Sequence, residues 1–283
     1  MQSLVVIGAG KVGQVLARRL HEAAQFSVLA VVNRSVSSAM SALAFIGAGQ
    51  VCPSIADLPE ADSYLLAVSD DQLGVVAQAL PDTLNLQGKL IWHCSGALPA
   101  SHLNCLAERG ALLASCHPVR SFAESNEAYA NFAGTLCACE GAAAALARLQ
   151  PALSAAGAQV FELAAEHKAL YHAAAVMANN YLVSLLDSAA QTYQAAGISA
   201  ELANRLTLSL AQQGMHNLQQ LGSARALTGP VARGDWQTVA RHQAALQVHP
   251  ELAALYQAFL PLTVALAARR QPDIAPDQLA ANS

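Results

Sequence analysis

The chain has 283 residues, which is enough for two domains that each bury a core. Charged residues make up only 12% of the chain, and its net charge is −4. Lysines and arginines form no cluster, which argues against nucleic acid and anionic membranes as partners. The six cysteines show neither C-x-x-C nor metal-ligand spacing, which predicts reduced thiols and no bound metal. The sequence starts without signal-peptide features and contains no apolar run of the ~20 residues of a membrane span, so we expect a cytoplasmic protein.

A short β-branched run near the start leads into a glycine-rich turn and then into a helical pattern. The glycines are spaced G-x-G-x-x-G, with Gly8 at the bend, Gly10 where backbone can approach phosphates and Gly13 where the helix packs on the strand. A helix N-terminus at this point offers free N–H groups to an anion. Because a second apolar strand follows at residues 26–32, the pattern favours a dinucleotide-binding unit over a glycine turn without a ligand. The predicted phosphate-binding residues are Gly8, Ala9, Gly10, Lys11, Val12 and Gly13.

The residues after the second strand indicate which dinucleotide binds. An NAD site usually has a carboxylate about 20 residues after the glycines, whereas this chain has Asn33, Arg34 and Ser35 there. Arg34 can hold a 2′-phosphate with its planar fork of donors, and Asn33 and Ser35 can add neutral hydrogen bonds. The alternative is that Arg34 is a solvated surface residue and that Ser35 only caps the next helix. The sequence therefore favours NADP over NAD.

Strands and helices alternate through the first half of the chain. Strands are predicted at residues 50–52, 63–68, 89–94 and 111–116, and helices at 36–46, 72–80 and 99–109. A strand at 132–139, a helix at 142–156 and a strand at 159–163 are expected to complete the fold. This alternation predicts an α/β, doubly wound Rossmann-type parallel sheet for residues 1–163. Val68 and Ser69, just past one of these strands, are expected to lie over the cofactor.

Long helical patterns replace the strands from residue 164. Helices are predicted at 165–196, 200–221, 236–246 and 250–268, and Asp235 is expected to cap the third of them. The tail from residue 271 is expected to fray. Residues 164–283 are therefore predicted to form an all-helical domain. A homodimer is expected as well, because apolar helix faces of this extent are unusual on monomers.

Lysine is scarce in this chain, and Lys168 starts a pattern with unusual polar residues. Lys168, His172 and Asn179 recur at i, i+4 and i+11, so they share one face of a helix. Hydride transfer to C=O or C=N builds negative charge on the heteroatom, which a lysine or histidine can stabilise and protonate. We expect Lys168 and His172 to be catalytic and Asn179 to bind substrate. The alternative is that Lys168 is a surface residue and His172 an interface histidine with satisfied hydrogen bonds.

A second group of candidates follows two consecutive strands. Ser95 and His117 come where ligands bind in open α/β sheets, at the carboxyl ends of strands. Ser95 is expected to bind a substrate oxygen and His117 to act as acid or base, unless it is a turn residue fixed by Pro118. Arg120 is a candidate anchor for a substrate anion or a solvated loop charge, and Arg233 is a further substrate-binding candidate in the loop at 228–235.

Four segments together resemble a known bacterial family. They are H-C-S-G-A-L at 93–98, H-P-V-R-S-F at 117–122, K-A-L-Y-H-A-A-A-V-M-A-N-N-Y at 168–181 and A-L-T-G-P-V-A-R-G-D at 226–235. Over nearly its whole length the chain resembles proteins that join a Rossmann-like NADP domain to a helical domain of unknown function, DUF2520. That family in turn looks like a branch of the 6-phosphogluconate dehydrogenase-like superfamily. The resemblance implies a Rossmann domain, a helical dimerisation domain and a cleft between them, but it implies no substrate.

More distant relatives bear on the candidate residues. In hydroxyacid dehydrogenases a catalytic lysine is followed four residues later by asparagine; Lys168 matches the lysine, but His172 stands in place of the asparagine. Ser95 and His117 are similar in placement to the serine and the His-Pro histidine of prephenate dehydrogenases. The glycine that follows that His-Pro motif is absent here, where Arg120 and Ser121 stand instead.

Two functions are compatible with these residues. The first is an oxidoreductase that transfers a hydride between NADP(H) and a small anionic carbonyl, hydroxy or imine compound, with a deazaflavin as an alternative hydride partner. The second is an NADP(H)-binding sensor without turnover that uses the loop at 228–235 to bind a partner. Convergence of Lys168, His172 and His117 would favour the enzyme, because a sensor does not need it.

Overall fold

A computed structural model describes residues 1–269, and it divides into two compact units. The first unit is Met1–Asn179, and the second begins at Asn180. The first unit therefore runs past the boundary that the sequence suggests at residue 163. The tail from residue 271, expected to fray, lies outside the described residues.

A single sheet forms the centre of the first unit. Its strands within the described range are β1 (Gln2–Ile7), β2 (Phe26–Val32), β3 (Gln50–Val51), β4 (Ser63–Leu66), β5 (Leu90–His93), β6 (Leu112–Pro118), β7 (Leu136–Gly141) and β8 (Gln159–Glu162). Their spatial order is β3-β2-β1-β4-β5-β6-β7-β8, and each neighbouring pair is parallel except β6 with β7. The direction of strand order reverses between β1 and β4, the switch point at which such sheets bind ligands. The predicted Rossmann-type fold is confirmed.

Helices pack on both faces of this sheet. The helices of the first unit within the described residues are α1 (Lys11–Glu22), α2 (Val36–Ile46), α3 (Asp70–Gln78), α4 (Asn104–Ala107), α5 (Ser125–Ala130), α6 (Ala143–Ala155) and α7 (Lys168–Ala178). Successive residues of β1 point to opposite faces: Leu4 and Val6 belong to one buried apolar cluster, and Val5 and Ile7 to another. Because both faces of the sheet are buried, its strands contain continuous apolar runs rather than alternating apolar and polar residues. These runs allowed the strands to be predicted from the sequence.

Three sequence-based elements in the first unit differ from the structure. The helix predicted at 99–109 is a 3₁₀ turn, Ala100–Leu103, followed by the short α4. The strand predicted at 132–139 begins only at Leu136, because a turn closed by the Thr135 N–H on the Phe132 carbonyl precedes it. It also runs antiparallel to β6, and β6 itself extends to Pro118, so that His117 lies within the strand.

The long helix predicted at 165–196 is interrupted. A 3₁₀ turn, Ala165–His167, leads into α7, which ends before Asn179, and α8 (Asn180–Ala195) follows. Asn179 has φ −121° and ψ −63°, outside the helical region. Asparagine is a weak helix former because its side chain competes for backbone hydrogen bonds. The apolar periodicity continues across the break, which is why the sequence suggested one helix.

The second unit contains only helices within the described residues. They are α8, α9 (Ala200–Leu221), α10 (Ser223–Ala226), α11 (Pro230–Arg233), α12 (Trp236–Leu246) and α13 (Pro250–Ala268). The three long helices predicted after residue 199 are confirmed, whereas α11 lies within the loop expected at 228–235 and α10 lies between the predicted helix at 200–221 and that loop. Asp235 caps α12 as predicted, since its carboxylate accepts hydrogen bonds from the N–H of Thr238 at 3.1 Å and from its hydroxyl at 2.7 Å.

Helix α13 is the most apolar of the long helices. Within the described range it alone is long and apolar enough to cross a membrane by length and composition, with a mean hydropathy of 1.5, although no such run was expected. Its residues Tyr256, Leu260 and Val264 pack against the small core around Val239 of α12.

Candidate active site

The three glycines of the turn after β1 have different steric surroundings. Gly8 has φ +84°, and a Cβ there would lie 2.5 Å from Cγ1 of Val68. A Cβ on Gly13 would lie 2.8 Å from the Cβ of Ala67. A Cβ on Gly10 would meet no atom within 4 Å, so this backbone borders open space. The turn is thus tightly packed on its sheet side and open at Gly10, as a pyrophosphate cradle requires.

The residues after β2 divide into two roles. The Asn33 side-chain oxygen accepts the Ala9 N–H at 2.7 Å, so Asn33 braces the glycine turn. The Ser35 hydroxyl accepts the Ser38 N–H at 3.2 Å, so Ser35 caps α2. Capping is the alternative that the sequence offered to a hydrogen bond with the cofactor. Arg34 is exposed and makes no hydrogen bond to any residue within 1–269. Its guanidinium is therefore available to an anion beside α2.

Helix α1 is tied to the segment that follows β6. The Lys11 ammonium donates to the carbonyl of Ala123, and the Gln14 amide donates to the Ser125 hydroxyl at 2.6 Å. Lys11, a predicted phosphate-binding residue, is thus engaged with this segment. Phe122 of the same segment reaches the cavity described next.

A cavity of about 270 Å³ opens at the carboxyl ends of β4, β5 and β6. Its lining residues are Val12, Ala67, Val68, Asp70, Cys94, Ser95, Gly96, His117, Pro118, Arg120, Phe122 and His172. Four predicted substrate-side residues therefore meet there: Ser95, His117, Arg120 and His172. A larger cleft, about 480 Å³, borders Glu140 but none of the predicted catalytic residues, so the smaller cavity is the better candidate site.

Several predicted residues lie away from this cavity. Asn179 is exposed at the end of α7, and Ser69 occupies the position before the first residue of α3. Arg233 is exposed at the end of α11, in the second unit. None of the three lines the cavity, whereas Val68 does.

His117 lies at the centre of the polar groups in the cavity. Its Nδ1 is 2.8 Å from the Tyr171 hydroxyl oxygen, and the two rings meet edge to face. Burial, reinforced by His172 and Lys168, lowers the pKa of His117 to about 4, with Asp70 acting in the opposite direction. His117 is therefore a neutral imidazole at pH 7.

Gly96 allows the two histidines to close over the cavity. A Cβ at this position would lie 2.4 Å from Cδ2 of His172 and 3.0 Å from Nε2 of His117. The ring centroids of the two histidines are 5.7 Å apart. Any larger residue at position 96 would push the imidazoles away from the ends of the strands.

Ser95 is fully occupied by the protein. Its hydroxyl donates to the Asp70 carboxylate at 2.8 Å and accepts the N–H groups of Ala97 at 3.2 Å and Leu98 at 2.8 Å. A hydroxyl has one proton to donate and two lone pairs, so no hydrogen-bonding capacity remains for a substrate. The expected role of Ser95 in binding a substrate oxygen is therefore corrected: it shapes the turn and holds Asp70.

Lys168 lies beneath the cavity rather than in it. Its side chain is 1% exposed, and its ammonium donates to the Ser115 hydroxyl at 2.7 Å and the Ser95 carbonyl at 3.0 Å. The Glu140 carboxylate is 3.8 Å away. Burial lowers the pKa of Lys168 against the effect of Glu140, and burial raises the pKa of Glu140. The expectation that Lys168 faces the substrate is corrected, because Lys168 does not line the cavity and two hydrogen bonds and the Glu140 carboxylate hold its ammonium inside the protein.

Arg120 is partly engaged with the turn before β7. Its Nη1 donates to the Asn131 carbonyl and, at 3.4 Å, to the Thr135 hydroxyl. Its Nε is buried and has no hydrogen-bond partner among the residues described. The side chain thus borders the cavity, and its buried Nε–H is left without an acceptor among the residues described.

Three residues of this arrangement were missed by sequence reasoning. Asp70 lies between the strand predicted at 63–68 and the helix predicted at 72–80, and the signal for it is its position just past the carboxyl end of β4, beside the switch point of the sheet. Tyr171 lies on the same face of α7 as Lys168 and His172. Glu140 is a carboxylate within an apolar strand, and its N–H partner is Ala100 at 2.6 Å. A charged residue inside a buried strand is the signal that could have identified it.

Two family models match the sequence. The Rossmann-like domain model matches residues 2–118, and the model of the domain of unknown function DUF2520 matches residues 135–261. The chain is a Rossmann-like and DUF2520 domain-containing protein. No curated protein matches it.

Solved structures share the fold of this DUF2520 protein. A protein of Bacteroides fragilis assigned as an NADP oxidoreductase superposes with a TM-score of 0.76 at 21% identity, covering 94% of this chain and 98% of the other. A Thermotoga maritima protein gives 0.72 at 25% identity, covering 95% and 99%. The imine reductase of Myxococcus stipitatus, solved with NADP⁺, gives 0.59 at 18% identity, covering 94% and 92%.

The candidate site draws on both matched segments. Ser95 and His117 come from the Rossmann-like segment, whereas Lys168, Tyr171 and His172 come from the DUF2520 segment. All five lie within the first compact unit. The DUF2520 segment therefore contributes to the sheet and the site as well as to the helices of the second unit.

Proposed function

We propose that this protein is an NADP-dependent oxidoreductase that transfers a hydride between NADP(H) and a small, anionic compound with a carbonyl, hydroxy or imine group. The observation that carries the proposal is the cavity that places His117, His172 and Asp70 beside the glycine turn at the switch point of the sheet. The names of the Bacteroides and Myxococcus proteins support the proposed cofactor and reaction class.

The turn at residues 8–13 would hold the pyrophosphate, since a Cβ at Gly10 would fill space that the phosphates need. Arg34 would bind the 2′-phosphate, because its guanidinium is exposed and unpaired within the described part of the chain. The nicotinamide, when bound, supplies or accepts the hydride.

In the cavity, the neutral His117 and His172 would exchange a proton with the reacting group of the substrate, and Arg120 would attract its anionic group. Lys168 is a positioning residue in this scheme, because it fixes the Ser95 carbonyl and the Ser115 hydroxyl behind the cavity. Ser95 in turn holds the Asp70 carboxylate toward the cavity.

Calorimetric titration with NADPH and then NADH tests the cofactor assignment. We expect tight binding of NADPH and weak binding of NADH. In Arg34→Ala the affinity for NADPH should fall about 10- to 100-fold, the value of a charge-assisted hydrogen-bonded contact, while NADH binding stays unchanged. Arg225→Ala, which removes an exposed arginine of the second unit, is the matched control.

The outcomes separate the candidate functions. Binding of neither nucleotide would mean that the glycine turn has only a structural role, and the oxidoreductase proposal would be rejected. Binding of NADPH should be followed by NADPH oxidation with a member of a panel of carbonyl acids and cyclic imines. NADPH binding without turnover across that panel would favour the sensor, with the segment at 228–235 as its partner-binding surface.

A further inference from the structure

A tyrosine not foreseen from the sequence contacts the histidine of the candidate site. We propose that Tyr171 is a positioning residue that fixes His117 in the tautomer protonated on Nε2, so that the site donates a hydrogen bond to a C=O or neutral C=N group and works as a reductase. The reaction step rests on the proposed oxidoreductase function, whereas the tautomer does not.

The Tyr171 hydroxyl has one acceptor for its proton. The only hydrogen bond it makes among the residues described is the 2.8 Å contact with Nδ1 of His117. Burial raises the pKa of Tyr171 to about 12, so the phenol keeps its proton at neutral pH. Donation to Nδ1 is therefore the arrangement that leaves no half-buried O–H without an acceptor.

The position of the His117 proton follows from this contact. A neutral imidazole carries one N–H, and a ring nitrogen that accepts a hydrogen bond has none. Because Nδ1 accepts from Tyr171, the proton of His117 is on Nε2. That nitrogen has no hydrogen-bond partner within the described residues, and it lies 3.0 Å from the Cβ position of Gly96, which lines the cavity. The free donor of His117 is thus next to the cavity.

Tyr171 is itself held by its surroundings. Its ring packs at 6.3 Å against Phe161 of β8, and its helix is anchored one turn earlier by the buried Lys168. A phenol fixed in this way holds the imidazole in one orientation. The same contact that sets the tautomer therefore also aims Nε2.

The arrangement suits reduction better than oxidation. During reduction the substrate carbon gains the hydride, and its oxygen or nitrogen gains the Nε2 proton of His117. Nε2 then regains a proton from water, so that the Tyr171 hydroxyl keeps its own proton and its hydrogen bond to Nδ1, and His117 returns to the starting tautomer. Oxidation of an alcohol would instead need a lone pair on Nε2 to accept the hydroxyl proton, which this tautomer lacks.

Nitrogen NMR of the full-length protein labelled with ¹⁵N-histidine tests the tautomer directly. At pH 7 we expect two-bond ¹⁵N–¹H correlations of His117 to show an unprotonated Nδ1 and a protonated Nε2, with the signals assigned by their loss in His117→Asn. In Tyr171→Phe the proton should distribute over both nitrogens, so the two nitrogen shifts should move toward each other.

The chain contains a matched control pair in its second unit. Nδ1 of His242 lies 3.0 Å from the Tyr256 hydroxyl, in a similar edge-to-face contact. Tyr256→Phe should change the His242 signals and leave those of His117 unaltered. This control separates loss of the specific hydrogen bond from a general effect of removing a tyrosine hydroxyl.

A protonated Nδ1 or an imidazolium on His117 in the wild type would overturn the proposal, and so would unchanged His117 signals in a folded Tyr171→Phe. If that variant does not fold, the wild-type tautomer alone decides. Failure of NADPH to bind in calorimetry would instead reject the proposed function and leave the tautomer result standing.

Discussion

The buried ammonium of Lys168 links three neighbouring strands to a helix. Its partner Ser95 lies just after β5, Ser115 lies within β6 and Glu140 lies near the end of β7, and its own backbone starts α7. Breaking a buried ion pair on one side leaves the other charge without compensation. The residue is therefore expected to act on stability first.

We predict that Lys168→Met lowers the free energy of unfolding by about 3–5 kcal/mol, because Glu140 is left as an unpaired buried carboxylate. The double variant Lys168→Met/Glu140→Gln should recover part of this loss, since the isolated charge is gone. Urea unfolding followed by the fluorescence of the buried Trp92 measures both. An unchanged unfolding free energy together with lost turnover would contradict this prediction and restore Lys168 to a direct catalytic role.

The fully buried His93 and the half-buried His117 make the free energy of unfolding depend on pH. Burial lowers the pKa of both His93 and His117 from 6.5 to about 4. Above pH 6.5 these side chains are neutral in both the folded and the unfolded chain. Between about pH 6.5 and 4 the unfolded chain binds protons that the folded protein does not, so the free energy of unfolding falls, by roughly 3 kcal/mol for the fully buried His93.

Chemical denaturation between pH 7 and pH 4.5 measures this decrease. His93→Gln cannot be protonated and should show a shallower decline with falling pH. His117→Asn is the second comparison. A decline in His93→Gln as steep as that of the wild type would show that other groups cause it.

The positions of the residues around the cavity were predictable where a residue lies at the carboxyl end of a strand or shares a helix face with another candidate. His117 and His172 met in one cavity because these two rules hold. Depth was not predictable: helical periodicity placed Lys168 on the inner face of α7, but it does not show whether an inner residue reaches the cavity. The hydrogen bonds that occupy Ser95 depend on a turn whose geometry the sequence does not specify.

At the scale of single elements, substitutions in the glycine turn allow effects on NADPH binding to be separated from effects on folding stability. Gly10→Ala adds a methyl group in open space, so the fold should be retained while NADPH affinity drops at least tenfold through collision with the pyrophosphate. Gly13→Ala places the methyl group 2.8 Å from the Cβ of Ala67 and should lower the melting temperature by several degrees.

Calorimetry with NADPH and thermal melting of both variants provide the comparison. Each variant serves as the control for the other, because both add one methyl group to the same turn. Unchanged NADPH affinity in Gly10→Ala would indicate that phosphates do not approach this backbone.

Helix bounds were more predictable than strand direction. Capping residues mark helix ends locally: Ser35 and Gly47 delimit α2, and Ser199 and Gly222 delimit α9. Whether β7 runs parallel or antiparallel to β6 depends on how the connecting chain returns to the sheet. The connection through α5 was itself missed, since its six residues are too short to show a clear periodicity.

At the scale of the whole molecule, the second unit has an exposed apolar stripe. Leu202, Leu206 and Leu210 of α9 follow one another at i+4 and are each more than a third exposed. Such stripes are uncommon on monomers, so the homodimer expected from composition remains our prediction, with α9 in its interface. Light scattering coupled to size exclusion should give twice the 29.3 kDa of one chain.

Introducing charges into this stripe tests the interface. Leu206→Glu/Leu210→Glu should shift the protein to a monomer, because two carboxylates would be buried without partners. Met40→Glu, which charges an equally exposed apolar position on α2, should leave the dimer intact. A dimer that survives the double substitution would place the interface elsewhere.

The antiparallel pairing of β6 with β7 also bears on how such a protein can evolve. Residues 114–118 pair with residues 137–141, and this ladder joins the Rossmann-like segment to the DUF2520 segment. Separate expression of the two segments would leave β6 and β7 as unpaired edge strands, and each segment would be prone to aggregate through its exposed edge. The two segments are therefore not interchangeable modules: a gene that acquired one without the other would encode an incomplete sheet, so we expect them to be inherited as one unit.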